Sequence, residues 1–252
     1  MATKEERNPA EGYVTTSHPI QGLPRVVRHI TGVNTEGQSV FLSTDTGDHH
    51  RELVKKSGLA NILYTTGEHP VDLNNDADLK YARENEVSPN QLRPLYCSSF
   101  SIEIVRLTIH KPGITVKGGT VCRMIDFGPG AASPLHRVNS LDYAVVIEGS
   151  FKLVLDSGEE RLMHRGDVTI QRSTSHQWIN VTGGGCLPAR VLFVLLDVRD
   201  LNVAGAKVDG FLGELGEDYV GLPGHEGADG TATNGAGKKR GGTDNEFMES
   251  EF

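Results

Sequence analysis

The sequence predicts an all-β domain, either a sandwich or a barrel of short strands. Short strand candidates follow one another between residues 119 and 199 at intervals of about 8 to 12 residues, the spacing of all-β sandwiches and barrels. Turn residues separate them, as at Glu148-Gly149-Ser150 and Asp156-Ser157-Gly158-Glu159. One candidate, ARVLFVLLDV, is apolar at nearly every position and predicts a strand buried on both faces.

The other predicted strands of the barrel combine β-branched or aromatic residues with polar ones. In chain order they are TVCRMIDF, LDYAVVI, FKLVLD, ERLMH, DVTIQ and HQWINV. A β-rich N-terminal extension precedes them. Its runs RVVRHITGV and QSVFLS are joined by the turn residues 34–37 and predict a hairpin, and NILYTT predicts a further strand. Residues 74–86 begin with Asn and Asp and continue with helix formers, which predicts a short helix.

The domain boundaries follow from composition. Residues 1–22 predict a flexible lead-in, residues 23–222 a single domain with its core barrel at 119–200, and the Gly-rich residues 223–252 a disordered tail. Residues 87–111 match their surroundings poorly, since Glu103 is their only acidic residue. They are interpreted either as a surface loop with one strand, SIEIVRLTI, or as an insertion foreign to the fold, such as translated intron sequence.

Charge and hydropathy exclude several classes of function. The net charge is −8 and no basic block occurs, which argues against nucleic acid as the partner. The sequence contains no run of about 18 apolar residues, so we expect no membrane-spanning helix. The N-terminus is polar, so we expect no secretory signal. The three cysteines, Cys97, Cys122 and Cys186, are widely spaced without a CxxC pair, so we expect free thiols in a cytoplasmic protein.

Two histidine-bearing blocks stand in this run of strands. The first is GAASPLHRVNSLD with a later glycine, and the second is GDVTIQRSTSHQWIN. Together they resemble the two motifs of the cupin superfamily, which implies a cupin-type antiparallel β-barrel, or jelly roll. The residues that stand at motif positions are Gly130, His136, Asp142 and Gly149 in the first block and Gly166, His176 and Asn180 in the second.

The sequence departs from the family pattern at three positions. The second histidine of the first motif is Val138, its glutamate is Asp142, and the proline of the second motif is Arg172. The resemblance implies a site for iron, manganese or zinc, for which His136, Asp142 and His176 remain as candidate ligands. Two histidines and one carboxylate can bind Fe(II) with open positions, although the shorter aspartate side chain reaches less far.

A metal-free use of the same residues is equally open. Alternation along a strand sends His176, Trp178 and Asn180 to one face, and His136 could meet His176 across the barrel. Two histidines in a half-dry pocket can act as acid and base near neutral pH. Asp142 could then hold one imidazole in its tautomer.

Four residues are candidates for substrate binding. Trp178 could form an aromatic wall, Arg172 could anchor a carboxylate or enolate oxygen, and Asn139 and Asn180 lie beside them in the motifs. The alternative interpretations are a core residue for Trp178, a solvated turn residue for Arg172 and a structural hydrogen bond for Asp142.

Longer phrases narrow the resemblance. GGTVCRMIDFGPG, HRVNSLDYAVVIEGS and QRSTSHQWIN are similar to fungal single-domain cupins of secondary-metabolite gene clusters, including cupin-domain oxidoreductases of salicylaldehyde-type polyketide pathways. This implies an enzyme that tailors a polyketide-type small molecule. By analogy it also implies a homodimer that pairs through an N-terminal strand. No GxGxxG motif predicts a nicotinamide or flavin site.

Three functions stay open at this point. The first is an oxidoreductase with a metal held by His136, Asp142 and His176. The second is a cofactor-free lyase or isomerase, such as a dehydratase, decarboxylase or cyclase, that uses the two histidines as acid and base. The third is a non-catalytic protein that binds a pathway intermediate.

Overall fold

The computed structural model describes residues 20–47, 50–53, 57–84 and 113–218. The predicted tail 223–252 and the possible insertion 87–111 lie outside the described residues. Of the predicted lead-in 1–22 only residues 20–22 are described, and Ile20 there is 2% exposed and packs with Leu23 and Leu59. Ordered packing therefore includes the residues just before the predicted start of the domain.

The described part of the chain is dominated by strands, which confirms the all-β prediction. Two α-helices accompany them, α1 (Ala77–Glu84) and α2 (Leu215–Asp218). The strands are β1 (Arg28–Val33), β2 (Ser39–Asp45), β3 (His50–Leu53), β4 (Gly58–Thr66), β5 (Thr120–Phe127), β6 (Ser140–Glu148), β7 (Ser150–Leu155), β8 (Glu160–His164), β9 (Val168–Arg172), β10 (His176–Asn180), β11 (Ala189–Asp197), β12 (Asn202–Val203) and β13 (Ala206–Lys207).

Two antiparallel sheets form the barrel. The larger has the strand order β3-β4-β5-β11-β6-β9, and the smaller has the order β10-β7-β8. The predicted hairpin forms a separate pair, β1-β2, and the helix predicted at residues 74–86 is a 3-10 turn followed by α1. Strands β3, β12 and β13 were not predicted from the sequence.

A bent ribbon connects the two sheets at the point where the histidines lie. Strands β6 and β9 pair in the larger sheet, and Ser173 donates its backbone N–H to the Ser140 carbonyl at 2.9 Å. The chain before β6 then pairs with β10 in the smaller sheet, through a bridge between His136 and His176. One pair of chain segments therefore runs from the first sheet into the second.

The core lies between the two sheets. Trp178 is 1% exposed and packs edge-on against Phe151 and Phe193, with ring centroids 5.6 and 5.7 Å away. The apolar strand β11 lies between β5 and β6, as a central strand should, and Phe193 faces the core. The prediction that β11 is buried on both faces is wrong in part, because Leu192 and Val194 on its outer face are only half-buried.

A buried ion pair lies on the outer face of the larger sheet. Arg190 on β11 donates two hydrogen bonds to Asp126 on β5, at 2.5 and 2.7 Å. A third guanidinium N–H reaches the Pro24 carbonyl at 2.8 Å. The pair therefore ties the segment that leads into β1 to the back of the barrel.

Candidate active site

A cavity opens between the two sheets, and the space in it and in its open mouth amounts to about 690 Å³. We call it the central cavity. Most of its wall is apolar, and its polar side chains come from a few positions on the barrel interior. The wall includes Ile125, Phe127, Trp178, Phe193, Leu195 and Leu215, and the polar group consists of Ser57, Arg123, Ser133, His136, Asp142 and His176. A wall of this composition suits a small, mainly apolar molecule with a few oxygen atoms.

The structure brings His136 and His176 together in this cavity. Their ring centroids lie 4.5 Å apart, with the ring planes inclined by 58°. Each histidine also exchanges both backbone hydrogen bonds with the other, at 2.9 and 3.1 Å. The predicted meeting of two histidines distant in sequence is thus fixed by the backbone, not only by the side chains.

The hydrogen bonds of the rings determine their tautomers. His136 Nδ1 lies 2.9 Å from the Pro134 carbonyl oxygen, and His176 Nδ1 lies 2.8 Å from the Thr174 carbonyl oxygen. Because a carbonyl oxygen only accepts hydrogen bonds, each Nδ1 must carry the proton. In the neutral rings, both Nε2 atoms then keep a lone pair that can take a proton from a substrate.

Burial keeps both rings neutral. Burial, together with the positive charge that a protonated His136 would carry, lowers the pKa of His176 to about 3, while the hydrogen bond to the Thr174 carbonyl acts in the opposite direction. Burial also lowers the pKa of His136, and the charge of Arg123 acts in the same direction. Two neutral imidazoles are therefore the resting state at physiological pH.

Asp142 is buried in the wall of the same cavity. Its carboxyl is 4% exposed, and its Oδ1 has no hydrogen-bond partner among the described residues. Burial raises the pKa of Asp142 to about 6, while the Ser140 hydroxyl and the charge of Arg123 act against this rise. The group can thus be protonated or ionised near neutral pH.

The comparisons with known proteins agree with this barrel. The chain is 54% identical over 209 residues to the cupin-domain-containing oxidoreductase fogC of Aspergillus ruber, covering 83% of this chain and 91% of that protein. It is 47% identical to the cupin-domain-containing oxidoreductase srdD of Neurospora crassa, over 85% of this chain and 97% of that protein. The chain belongs to the fungal cupin-domain-containing oxidoreductases. No protein-family profile matches it.

A more distant relative of this cupin-domain oxidoreductase is oryzines biosynthesis cluster protein J of Aspergillus oryzae. It is 31% identical over 79% of this chain and 98% of its own length. The relatives thus include proteins of fungal biosynthesis clusters, in agreement with the resemblance seen in the sequence. No helix within the described residues combines the length and apolar character that crossing a bilayer would take.

The donor set does not fit the three-ligand metal site that the motifs imply. Among the residues that the structure describes, no three His, Cys, Asp or Glu side chains lie close enough together to hold a metal ion. The imidazoles of His136 and His176 meet, but Asp142 does not complete a cluster with them. Within the described residues, His136, Asp142 and His176 therefore do not form the three-ligand metal site that the sequence predicted.

The structure does not bring Arg172 into the central cavity. Arg172 is exposed at the end of β9, while its neighbour Gln171 is 3% exposed and faces the barrel interior. Strand β9 inverts the usual pattern, because Val168 and Ile170 are 55% and 49% exposed. A substrate-anchoring role for Arg172 is thus contradicted by the side to which β9 directs it.

The two asparagines also lie outside the cavity wall. Asn180 donates hydrogen bonds to the carbonyls of Gly128 and Leu187, at 2.7 and 2.8 Å, and accepts one from the Thr182 N–H at 2.9 Å. Its amide is fully used in joining three loops. Asn139 lies half-buried beside the backbone of Gly210. Neither position supports the predicted contact with substrate.

Arg123 and Leu215 are two of the cavity residues that the sequence analysis did not single out. Arg123 is 3% exposed on β5 and donates hydrogen bonds to the carbonyls of Gly113 and Ile114. Its signal is present in TVCRMIDF, where alternation puts Arg123 on the same face as Val121. Leu215 belongs to α2, which no periodicity predicted.

The replacement Asp142→Asn should stabilise the folded protein at neutral pH. The carboxyl has a pKa of about 6 in the folded protein, against an ordinary value of 3.8, so the folded state loses stability as the pH rises from about 4 to 6, and the loss is complete above pH 6. We expect the variant to gain on the order of 3 kcal/mol in free energy of unfolding at neutral pH, since a pKa unit is worth about 1.4 kcal/mol. Urea unfolding should show this gain shrinking toward zero below about pH 4.

The matched control for this measurement is Asp156→Asn, because Asp156 is 51% exposed on its side chain. That variant should show no comparable gain at any pH. A gain for Asp142→Asn that is equal at acidic and neutral pH would contradict the buried, raised carboxyl.

Proposed function

We propose that this protein is an oxidoreductase that tailors a polyketide-type intermediate in fungal secondary metabolism. The proposal is supported by the names of its relatives and by a central cavity with mainly apolar walls. The polar side chains of the cavity would hold the oxygen-bearing part of such an intermediate, and the apolar wall would hold its ring and alkyl portions.

The observation that carries the proposal is the pair of neutral imidazoles in this cavity. One Nε2 would accept the proton of a hydroxyl group, or of a carbon next to a carbonyl group, and the second ring would hold or return a proton. The positive charge of Arg123 in the same wall would stabilise negative charge that develops on a substrate oxygen. These steps are proton transfers made by side chains of this chain; in an oxidation the two electrons would pass to a co-substrate such as O2, and in a reduction they would come from an added two-electron donor.

A second candidate function is a cofactor-free lyase or isomerase. The same two imidazoles favour it, because a neutral imidazole that takes a proton and then returns it as imidazolium can serve a dehydration, an enolisation or a cyclisation. The two candidates give different products. An oxidoreductase adds or removes hydrogen or oxygen, whereas a lyase or isomerase leaves the composition unchanged or removes only water or carbon dioxide.

Gene deletion followed by reconstitution would distinguish these functions. The intermediate that accumulates in the deletion strain is given to the purified protein in air and, in parallel, with added NADH or NADPH, and the product is identified by exact mass. A change in hydrogen or oxygen content supports the oxidoreductase, whereas an equal mass or loss of water or carbon dioxide supports the second candidate. Binding without conversion would contradict both and leave the non-catalytic binder.

Three controls make the result specific. His136→Ala should abolish conversion while the circular dichroism spectrum stays that of a folded β-protein. A parallel assay with a chelator, together with elemental analysis for iron, manganese and zinc, measures any dependence on a divalent metal. Conversion that needs one added metal would contradict proton transfer by the side chains alone.

We also propose that the protein works in the cytoplasm as a homodimer. Free thiols at Cys122 and Cys186 support a reducing compartment. The hairpin β1-β2 supports self-association, because it forms its own two-stranded sheet and exposes Val33 and Phe41 by 70% and 73%. An isolated hairpin of this kind gains stability when another chain covers it.

A further inference from the structure

A short segment near the end of the described chain crosses the gap between the two sheets. We call residues 209–218 the C-terminal strap. At one end, Phe211 exchanges backbone hydrogen bonds of 2.7 and 2.9 Å with Arg137, the residue after His136. At the other end, Arg51 on the edge strand β3 donates a hydrogen bond to the Asp218 carbonyl at 3.1 Å. The strap thus closes the barrel on the side where both sheets have an edge.

Glycines let the strap lie directly against the histidine-bearing ribbon. A Cβ atom on Gly210 would lie 3.1 Å from the Arg137 carbonyl oxygen, and one on Gly213 would lie 3.1 Å from the Leu135 carbonyl oxygen. Gly213 also has a φ of +56°, which favours glycine. These close approaches fix the course of the strap over the barrel.

The strap carries two buried leucines with different surroundings. Leu212 is 5% exposed and Leu215 is 6% exposed, and both belong to the main hydrophobic core. Leu215 lines the central cavity together with Leu53 of β3, whereas Leu212 does not line it. Leu215 therefore forms part of the wall that a bound molecule would meet.

We propose that Leu215 sets the length of the apolar substituent that the central cavity accepts. This inference rests on the proposed function, in which the cavity binds a substrate with alkyl portions. A substituent that finds apolar space gains affinity by about fourfold for each buried methylene. The gain ends where the chain reaches the leucine side chain, because packed interiors do not yield to an extra methylene without strain.

The single tryptophan of the chain provides the measurement. Trp178 lines the same cavity, so ligand binding can be followed through its fluorescence. The probes are salicylaldehydes with unbranched alkyl chains of increasing length, from methyl to nonyl. For the wild type we expect affinity to rise with chain length to a turning point and then to fall.

Leu215→Ala should move this turning point to a longer chain, with about a fourfold gain in affinity for each additional methylene accommodated. Leu215→Phe should move it to a shorter chain. Leu212→Ala is the matched control, since it removes the same atoms from the same strap and should keep the turning point of the wild type.

The outcomes separate the two proposals. If no probe changes the Trp178 fluorescence of the wild type, the proposed binding of such intermediates in the central cavity is wrong and the inference is wrong with it. If the wild type shows a turning point that both Leu215 variants keep, or that Leu212→Ala moves equally, the proposed function stands and the role of Leu215 is overturned.

Discussion

The variant His176→Ala is expected to convert substrate about a hundred- to ten-thousandfold more slowly than the wild type, the usual contribution of a general acid or base. His176 is 3% exposed, keeps a proton on Nδ1 and presents a neutral ring with a free Nε2 lone pair. Alanine removes the only group at this position that can carry a proton. The measurement is kcat with the accumulated pathway intermediate as substrate, together with kcat/KM.

His164→Ala is the matched control for this experiment. His164 is exposed on β8 and contacts the Ser150 hydroxyl at 3.1 Å, away from the central cavity. It should keep kcat within about twofold of the wild type, as a surface substitution away from the site does. If His176→Ala kept a similar rate, the imidazole pair would not be the catalytic centre, and another cavity side chain would have to supply the proton transfer.

The pH dependence of kcat is a second test of the histidine pair. An ordinary histidine base has a pKa near 6.5, and its rate falls as the solution is acidified through that value. The pKa of His176 is lowered to about 3, so the activity that depends on its neutral form should persist well below pH 6.5.

Replacing Asp126 by alanine should produce the largest loss of stability. Arg190 and Asp126 are both 7% exposed on their side chains, and the substitution would leave a guanidinium buried without its carboxylate. Removing one partner of a buried pair costs about 3–5 kcal/mol in free energy of unfolding. Urea unfolding at neutral pH would measure it, with the loss of the Pro24 anchor as part of the effect.

Two controls test the cause of that loss. The double variant Asp126→Leu with Arg190→Met removes both charges and should be much closer to the wild type than the single variant. Asp156→Ala breaks an ion pair of 3.3 Å between Arg137 and the half-exposed carboxylate of Asp156. It should lower the free energy of unfolding by less than about 1 kcal/mol. An equally small loss for Asp126→Ala would show that the buried pair does not hold the segment before β1.

Strand β9 shows why some of the site could not be predicted. Its residues alternate correctly for a strand, but the apolar Val168 and Ile170 face outward and the polar Gln171 faces inward. Sequence alternation gives two faces and does not name the inner one. Hydrophobicity, the usual guide to the inner face, is inverted in this strand, and the motif position that made Arg172 a candidate says nothing about its face.

The sequence by itself determined the local features of this protein. Alternation and turn chemistry act over two to four residues, so they fixed most strands, the first hairpin and the helix α1. The motif positions also placed His136 and His176 in one barrel. These features need no knowledge of which strands become neighbours.

Only the tertiary structure decided which side chains share the central cavity. The register between β6, β9 and β10 brings the two imidazoles within 4.5 Å, buries Asp142 beside Arg123 and commits Asn180 to loop carbonyls. The C-terminal strap has no periodicity of its own and gains its place from contacts with distant chain segments. The physical reason is that pairing and burial depend on the whole sheet, whereas a strand pattern depends only on its own residues.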